Sequence, residues 1–189
     1  MERGKLIVIV APSGTGKSTL LEQLKKDVPS LEWSVSCTTR PMRESEVNGK
    51  DYHFISKEDF LDLRSKNEFV EWAEVHSNFY GTSKPFIDKG LETGAHLLFD
   101  LDVQGCDSMR DIYGSEANII FIEPPSVDEL ERRLRARDTD SDQVIQERLN
   151  NAKKEILRKN DFDYNVINDE YDKAYTRLYQ IVTTILGKE

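Results

Sequence analysis

The chain has 189 residues, a formal net charge of −9 at pH 7, and 38% hydrophobic against 32% charged residues. A chain of this length predicts one compact unit, with room for inserted lobes, whose core needs no disulfide or metal to stabilise it. The acidic balance argues against a general nucleic-acid or anionic-membrane binder. It does not exclude a small anionic ligand, because exposed charges are screened within about 8 Å at physiological salt.

The N-terminal segment MERGKLIVIV predicts a protein that is neither exported nor inserted in a membrane. Its apolar run is too short for a signal peptide, and nothing in the chain approaches the ~18 apolar residues of a membrane span. The cysteines, Cys37 and Cys106, form no CxxC pair, so we expect free thiols in a reducing compartment. Together these features predict a cytoplasmic location.

The first predicted elements are a strand and a helix joined by a glycine-rich turn. KLIVIVA is an apolar, β-branched run typical of a strand buried in a parallel sheet. Leu20, Leu21, Leu24 and Val28 then recur at helical spacing, and Pro29 ends the helix. The turn between them, APSGTGKST, matches a Walker A loop with alanine at the usual first glycine position.

A Walker A loop binds the phosphates of a nucleoside triphosphate, because its backbone N–H groups and the helix N-terminus surround the phosphate oxygens. Lys17 would reach the β and γ phosphates, and the Ser18 hydroxyl would be a ligand of Mg²⁺. A chance glycine-rich turn is the alternative, and the buried strand before it and the amphipathic helix after it disfavour that reading. The predicted loop comprises Ala11, Pro12, Ser13, Gly14, Thr15, Gly16, Lys17 and Ser18.

The region from about residue 33 to residue 84 has shorter elements. Asn48-Gly49 is the preferred residue pair of a type I′ turn and predicts short antiparallel strands around it. Ser56 and Asp59 form a weak capping box that predicts the start of a short helix. This region is therefore expected to be a β-rich insertion.

Two arginines flank a proline in TTRPMRE. Pro41 biases Arg40 toward an extended conformation, so Arg40 and Arg43 can converge on one anion with planar guanidinium groups suited to phosphate. Tyr52 and Tyr80 can add hydroxyl donors. The residues alone leave two interpretations open, a second phosphate site and a solvated surface cluster, and composition favours the cluster.

The remainder of the chain alternates strands and helices. AHLLFDLD and ANIIFIEP predict buried parallel strands, and NVIND predicts a further short strand. Ser126 and Glu129 form a capping box before an arginine-rich helical segment, and the last helix places Ala174, Leu178 and Ile181 on one stripe. The sequence therefore predicts an α/β protein with a three-layer core around a parallel sheet, a β-rich insertion and a basic helical insertion.

The sequence resembles the guanylate kinase family in blocks that follow one another in order: IVAPSGTGKSTL, SVSCTTRPMRESEVNGKDYHF, EFVEWAEVHSNFYGTS, LLFDLDVQG and IFIEPPSVDELERRL. The resemblance implies a P-loop core of residues 1–33, 85–125 and 157–189, a GMP-binding lobe of residues 34–84 and a lid of residues 126–156. It also implies reversible, Mg²⁺-dependent transfer of the γ-phosphoryl group of ATP to GMP, and to dGMP. These nucleotides are the small-molecule partners we expect.

The resemblance assigns a role to each residue of the acceptor site. Glu46 would orient the two arginines, and Thr82 carries the hydroxyl of the serine that is common at that position in the family. The residues assigned to the acceptor phosphate are Arg40, Arg43, Tyr52 and Tyr80, and those assigned to guanine are Ser36, Glu71, Thr82 and Asp100.

The chemistry of Glu71 favours guanine over adenine independently of the resemblance. Guanine presents N1–H and N2–H₂ donors that one carboxylate can accept, whereas adenine presents a lone pair at N1. Sites built on such pairing can reject the wrong base by about 10⁴-fold or more. An exposed carboxylate on a strand or helix edge is the alternative interpretation of Glu71. Asp102, in FDLD, fits either a role near Mg²⁺ or a lid arginine, or a structural role.

The resemblance also assigns the lid arginines Arg137 and Arg148 to catalysis beside Lys17, because cationic groups stabilise the charge of a moving phosphoryl group. The family usually has glycine where Asp138 follows Arg137, so the local turn differs here. Some of the other arginines in this segment are expected to be ordinary surface charges. Asn168 resembles the family's contact to the adenine of ATP.

Two other functional classes use this fold. A non-catalytic guanylate-kinase-like interaction module is disfavoured because such modules have a degraded phosphate loop, whereas Gly16, Lys17 and Ser18 are intact here. A kinase for a different phosphorylated acceptor is disfavoured because RPMRESEVNGKDY retains the pattern of the guanine-binding lobe.

Overall fold

The computed structural model describes residues 3–75, 77–136 and 141–187. No helix within these ranges is long and apolar enough to cross a membrane. The strands are β1 (Leu6–Val10), β2 (Leu31–Trp33), β3 (Cys37–Thr38), β4 (His53–Phe54), β5 (Phe69–Val75), β6 (Asn78–Ser83), β7 (His96–Leu101), β8 (Ala117–Glu123) and β9 (Tyr164–Ile167). The α-helices are α1 (Lys17–Asp27), α2 (Lys57–Ser65), α3 (Lys84–Glu92), α4 (Val103–Tyr113), α5 (Val127–Arg135), α6 (Asp142–Leu157) and α7 (Tyr171–Ile185).

A parallel sheet with the strand order β2-β7-β1-β8-β9 forms the centre of the described structure. All five residues of β1 are buried, as the apolar run predicts. β1 lies between β7 and β8, so the chain leaves the sheet at its middle when it passes from β1 to α1. In open parallel sheets, ligands bind beyond the carboxyl ends of strands where neighbouring connections diverge in this way.

Helices cover both faces of this sheet, which confirms the predicted three-layer α/β core. α1 and α7 pack on one face, where the predicted stripe residues Leu20, Leu24, Ala174 and Leu178 are buried against it. α3 and α4 pack on the other face through side chains such as Ile87, Leu91, Cys106 and Met109. Burial of Cys37 and Cys106 as free thiols also agrees with the sequence, and burial raises the pKa of these thiols to about 11 and about 12, respectively.

A second, smaller sheet with the order β4-β3-β6-β5 is formed by residues of the predicted β-rich insertion. Its β5 and β6 form an antiparallel hairpin, and β3 pairs antiparallel with β6. A small core of Cys37, Phe60, Phe69 and Phe79 packs this sheet against α2. The predicted start of α2 is confirmed, because the Ser56 hydroxyl accepts a hydrogen bond from the Asp59 N–H at 3.0 Å.

The predicted type I′ hairpin at Asn48-Gly49 is wrong. A type I′ turn needs positive φ at both central residues, but only Gly49 has one, at 80°. The Asn48 side chain instead accepts a hydrogen bond from the Phe54 N–H at 3.0 Å, which closes a loop, and β4 then pairs parallel with β3. A side-chain bond to the backbone has replaced the turn that the residue pair favours.

The arginine-rich segment folds as two packed helices, α5 and α6. The capping box is confirmed at the start of α5, where the Ser126 hydroxyl accepts from the Glu129 N–H at 3.1 Å. Leu130 and Leu134 of α5 pack with Leu149 of α6 in a hydrophobic cluster of their own. These helices follow β8, so they stand close to the carboxyl end of the central sheet.

Leu98, in the centre of β7, is fully buried, at 0% exposure, in the layer that α1 and α7 cover. Leu98→Ala should lower the free energy of unfolding by about 2–5 kcal/mol, because it removes apolar contacts and leaves a cavity. Denaturant unfolding measures this loss. The matched control is Leu157→Ala, at a leucine that is 83% exposed, where the change should stay within about 0.5 kcal/mol. Equal losses at the two positions would contradict the packing described.

Candidate active site

The Walker A turn connects β1 to α1 at the carboxyl end of the central sheet, and its glycines are required there. Gly14 and Gly16 have φ angles of 90° and 91°, which L side chains rarely adopt. A Cβ at Gly14 would also lie 2.7 Å from the Leu134 side chain, and one at Gly16 would lie 2.7 Å from the Asn168 amide nitrogen. Helix α5 and the segment after β9 therefore pack directly on this loop.

The carbonyl group of Thr15 is the point at which these neighbours hold the loop. The buried Asn168 donates a hydrogen bond from Nδ2 to this carbonyl at 2.7 Å. Arg133 of α5 donates to the same carbonyl at 3.2 Å and to the Asn168 carbonyl at 3.0 Å. With its carbonyl held on the protein side, the loop can present its N–H groups to an anion.

Arg133 is the residue in this contact that the sequence did not single out. The sequence shows only that Arg133 lies four residues after Glu129, to which its Nε donates at 2.8 Å. Thr15 is 118 residues away in the chain, so local spacing contains no signal for the loop contact. Asn168 was predicted to contact adenine, and that role stays a prediction alongside its bond to the loop.

The other arginines of this segment divide as expected. Arg132 is paired with Glu129, and Arg135 with Glu131 and Asp142, on exposed helix surface, so these two are ordinary surface charges.

Arg148, on α6, donates to the Ser13 hydroxyl of the Walker A loop at 3.4 Å, which places a predicted lid arginine at the phosphate loop. Arg137 lies outside the described residues.

An ion pair between Lys17 and Asp100 joins the Walker A loop to β7. Lys17 donates from Nζ to Oδ1 of Asp100, and both side chains keep access to solvent. The contact follows from the sheet, because Asp100 pairs in register with Ile9 of β1, just before the loop. The predicted phosphate-binding lysine thus touches a residue predicted to bind guanine.

The predicted guanine-binding residues line a single cavity of about 120 Å³ between the two sheets. Glu71 and Thr82 are register partners on β5 and β6, and the Thr82 hydroxyl donates to Glu71 Oε1 at 3.0 Å. Ser36 precedes β3, and Asp100 approaches from β7. Ser34 lines the same cavity, which therefore has two carboxylate and three hydroxyl residues in its lining, a set suited to a ligand with several N–H donors.

The residues predicted to bind the acceptor phosphate gather around Arg40. Its guanidinium donates to the two oxygens of Glu46 at 3.0 Å and 2.7 Å. It also lies 5.6 Å from the centre of the Tyr52 ring, and Tyr80 stands beside Tyr52 at 6.0 Å between ring centres. The Arg40 guanidinium, followed by the Arg43 N–H, holds the pKa of Glu46 below its ordinary value, so this carboxyl stays ionised.

Arg43 and Asp102 each make a local hydrogen bond in the structure. The Arg43 backbone N–H donates to Glu46 at 2.7 Å, while the residue itself is exposed. Convergence of the Arg40 and Arg43 guanidinium groups on one anion stays a prediction. Asp102 caps helix α4, with Oδ1 accepting from the Gly105 N–H at 2.8 Å, which is the structural alternative considered for this residue.

Comparison with a family model and with individual proteins places the chain in one family. The family model described as guanylate kinase matches residues 3–185. The chain belongs to the guanylate kinase family. It is 45% identical to the guanylate kinase of Chromobacterium violaceum, over 95% of this chain and 85% of that protein. It is 49% identical to that of Nitratidesulfovibrio vulgaris, over 93% of this chain and 84% of that protein.

A solved guanylate kinase has the same fold. The crystal structure of guanylate kinase from Anaplasma phagocytophilum matches with a TM-score of 0.63 and 32% identity, over 97% of this chain and 87% of that chain. The family resemblance predicted from the sequence blocks is therefore confirmed, and so is the P-loop α/β fold it implies.

The bond from Asn168 to the Thr15 carbonyl gives a test of the guanylate kinase donor site. Asn168→Ala should raise the KM for MgATP several-fold, because a buried hydrogen bond that orients the loop, worth about 1 kcal/mol, is lost. The KM for GMP should change little. The matched control is Asn165→Ala on β9, whose exposed amide donates to the Lys159 carbonyl, away from the loop. Steady-state kinetics measure the KM for MgATP of both variants, and equal effects of the two variants would contradict the assignment.

Proposed function

We propose that the protein is an ATP:GMP phosphotransferase that moves the γ-phosphoryl group of ATP to GMP, giving ADP and GDP, with Mg²⁺, and that dGMP is a second acceptor. The observation that supports this function is the cavity shared by Ser36, Glu71, Thr82 and Asp100, with Asp100 paired to the lysine of the phosphate loop. In this proposal residues 34–84 act as the GMP-binding lobe and residues 126–156 act as the lid over a core made from the remainder.

Guanine would be recognised by acceptors on the protein. The carboxylates of Glu71 and Asp100 can accept from the N1–H and N2–H₂ groups of the base. The Thr82 hydroxyl donates to Glu71 Oε1 and so fixes the direction of that carboxylate before a ligand arrives. Adenine would cover these acceptors and leave them facing its N1 lone pair, and an acceptor that is shielded from water without a partner is costly.

The acceptor phosphate would bind at the Arg40 cluster. Glu46 holds the Arg40 guanidinium by two hydrogen bonds, and the Pro41 carbonyl accepts a third from it at 2.7 Å. The anion would bind to the N–H groups not used in these bonds and to the neighbouring Tyr52 and Tyr80. A guanidinium that is oriented in advance loses little side-chain entropy on binding. Arg43, close to the same carboxylate, would add charge from the exposed side.

The donor phosphates would bind at the Walker A loop. Lys17 would exchange Asp100 for the β and γ phosphates, and Arg148, which already contacts the loop, would add positive charge from the lid. Arg137 is proposed for the same role. Transfer passes through a loose transition state, so these residues act by alignment and by charge, and closure excludes water that would otherwise hydrolyse ATP.

Mg²⁺ fits this donor set. Among the residues that the structure describes, no group of three or more His, Cys, Asp or Glu side chains could hold a metal ion alone. Mg²⁺ prefers oxygen ligands and is commonly held by nucleotide phosphates together with one or two protein oxygens. The Ser18 hydroxyl, at the start of α1, would be that protein ligand. When bound, the ion would neutralise charge on the phosphates.

A coupled ADP-release assay with MgATP tests the function against GMP, dGMP, AMP, CMP and UMP. We expect turnover with GMP and dGMP alone. Lys17→Ala should reduce turnover by at least about 10²-fold, because it removes a charge that stabilises the transition state. Lys26→Ala, at an exposed lysine of the same helix, is the matched control and should stay near wild type. Near-normal turnover of Lys17→Ala would refute the donor-site assignment.

Glu71→Gln tests how the base is recognised. The amide replaces one acceptor oxygen by a donor, so kcat/KM for GMP should fall by about 10²-fold or more, and the preference for GMP over AMP should shrink. Glu74→Gln, at an exposed carboxylate of the same strand, is the control and should leave selectivity unchanged. Selectivity that is equally intact in both variants would mean that the base is read by other groups.

A further inference from the structure

The backbone conformation of Gly105 in α4 does not require a glycine. It is the third residue of the helix, which runs from Val103 to Tyr113. It is absent from the described glycines with positive φ, so an L side chain could adopt its conformation. Glycine in a helix is less favourable than alanine by about 1 kcal/mol. The reason for glycine must therefore lie in its surroundings.

The surroundings of Gly105 include the carboxylate of Glu71. A Cβ at this position would lie 3.3 Å from Glu71 Oε2, 3.3 Å from Leu101 Cβ and 3.4 Å from Asp102 Oδ1. The first two distances are shorter than ordinary van der Waals contacts, and the third lies at their lower limit. Glu71 comes from β5 of the smaller sheet, whereas α4 packs on the central sheet. The contact therefore joins the smaller sheet to a helix of the core.

The three neighbours differ in their freedom to move. Leu101 Cβ is next to the backbone of β7, and Leu101 is buried. Asp102 Oδ1 is held by its hydrogen bond to the Gly105 N–H, which caps the helix. Glu71 is exposed, has the longest side chain of the three, and accepts no bond from the Gly105 N–H. A methyl group at position 105 would therefore displace the Glu71 carboxylate rather than the other two groups.

We propose that Gly105 is a positioning residue for base recognition: the space left by its missing side chain lets the Glu71 carboxylate lie against the first turn of α4. This inference rests on the proposed function. Thr82 holds Oε1 from one side at 3.0 Å, and the first turn of α4 bounds Oε2 from the other. The N-terminal end of a helix also carries partial positive charge, which favours a carboxylate there.

This arrangement explains how a carboxylate on an exposed strand can recognise a base. Glu71 alone has several rotatable bonds, and an unrestrained side chain loses entropy when it binds a ligand. Held between Thr82 and Gly105, its two oxygens keep one orientation toward the cavity that Asp100 also lines. A displacement of a few tenths of an ångström would misalign both oxygens with the paired donors of guanine.

Gly105→Ala tests the inference, with Gly90→Ala as the matched control. Gly90 lies in α3, on the same face of the central sheet, and its added Cβ would meet the flexible end of Leu97 at 3.1 Å instead of a carboxylate. Both variants should melt at or above the wild-type temperature, since alanine favours a helix. Gly105→Ala should raise the KM for GMP about tenfold, because misplacement by 1 Å can cost 10²-fold. The KM for MgATP should not change, and Gly90→Ala should change neither.

A double-mutant cycle with Glu71→Gln separates positioning from general structure. If Gly105 acts through the carboxylate, Gly105→Ala should add little further loss of GMP affinity once Glu71 has been replaced. An additive loss, a parallel loss of MgATP affinity, or a KM for GMP equal to that of Gly90→Ala would each overturn the inference. Those results leave GMP turnover by the wild type intact, whereas failure of the proposed function would appear as a wild type that does not phosphorylate GMP.

Discussion

The parallel pairing of β1 with β7 is the constraint on which the whole site depends. It sets Asp100 beside Ile9, immediately before the chain leaves the sheet to form the phosphate loop. Because parallel strands bring their carboxyl ends to the same edge, the loop after β1 and the acidic end of β7 must meet there. The Lys17–Asp100 ion pair is the result, and it joins the proposed donor site to the proposed guanine pocket. A shift of one residue in this register would turn Asp100 to the opposite face of the sheet and separate the two.

Three cations of the site share one physical arrangement, in that each is paired with a carboxylate. Lys17 pairs with Asp100, Arg40 with Glu46, and Arg133 with Glu129. The pKa of Glu129 is held at about 2, by Arg132 first and then by Arg133, so this carboxyl remains ionised across the physiological range.

Such pairs orient flexible cationic side chains before a phosphate arrives, and binding then exchanges or extends an existing set of hydrogen bonds. This explains how a protein with a net charge of −9 can be built to bind two anionic nucleotides. Some of its carboxylates orient the basic side chains of the site.

The parts of the fold that the sequence predicted are those encoded within a few residues. The Walker A loop, the caps at Ser56 and Ser126, and the buried strands each depend on local spacing, and each is found in the structure. The proposed acceptor residues needed the family resemblance. Composition alone favoured a surface cluster for Arg40 and Arg43 and an exposed carboxylate for Glu71, and Glu71 is open to solvent in the structure. The Asn48-Gly49 turn failed because the asparagine amide had a competing backbone partner six residues away. Contacts between distant segments, such as Arg133 with the Thr15 carbonyl, have no local pattern from which they could be predicted.

Several departures from local preference lie at the site, and each of these can be traced to a neighbour. Gly14 and Gly16 adopt backbone angles that disfavour other residues, where α5 and Asn168 press on the phosphate loop. Asp100 places a charge between the buried residues Phe99 and Leu101 of an inner strand, where its side chain keeps access to solvent and pairs with Lys17. Natural sequences tend to be locally consistent except where function imposes another requirement. Gly105 belongs to the same group, since it weakens a helix of the core at the one turn that faces the Glu71 carboxylate. At these positions, a residue that its own element does not favour is explained by its neighbours in the site.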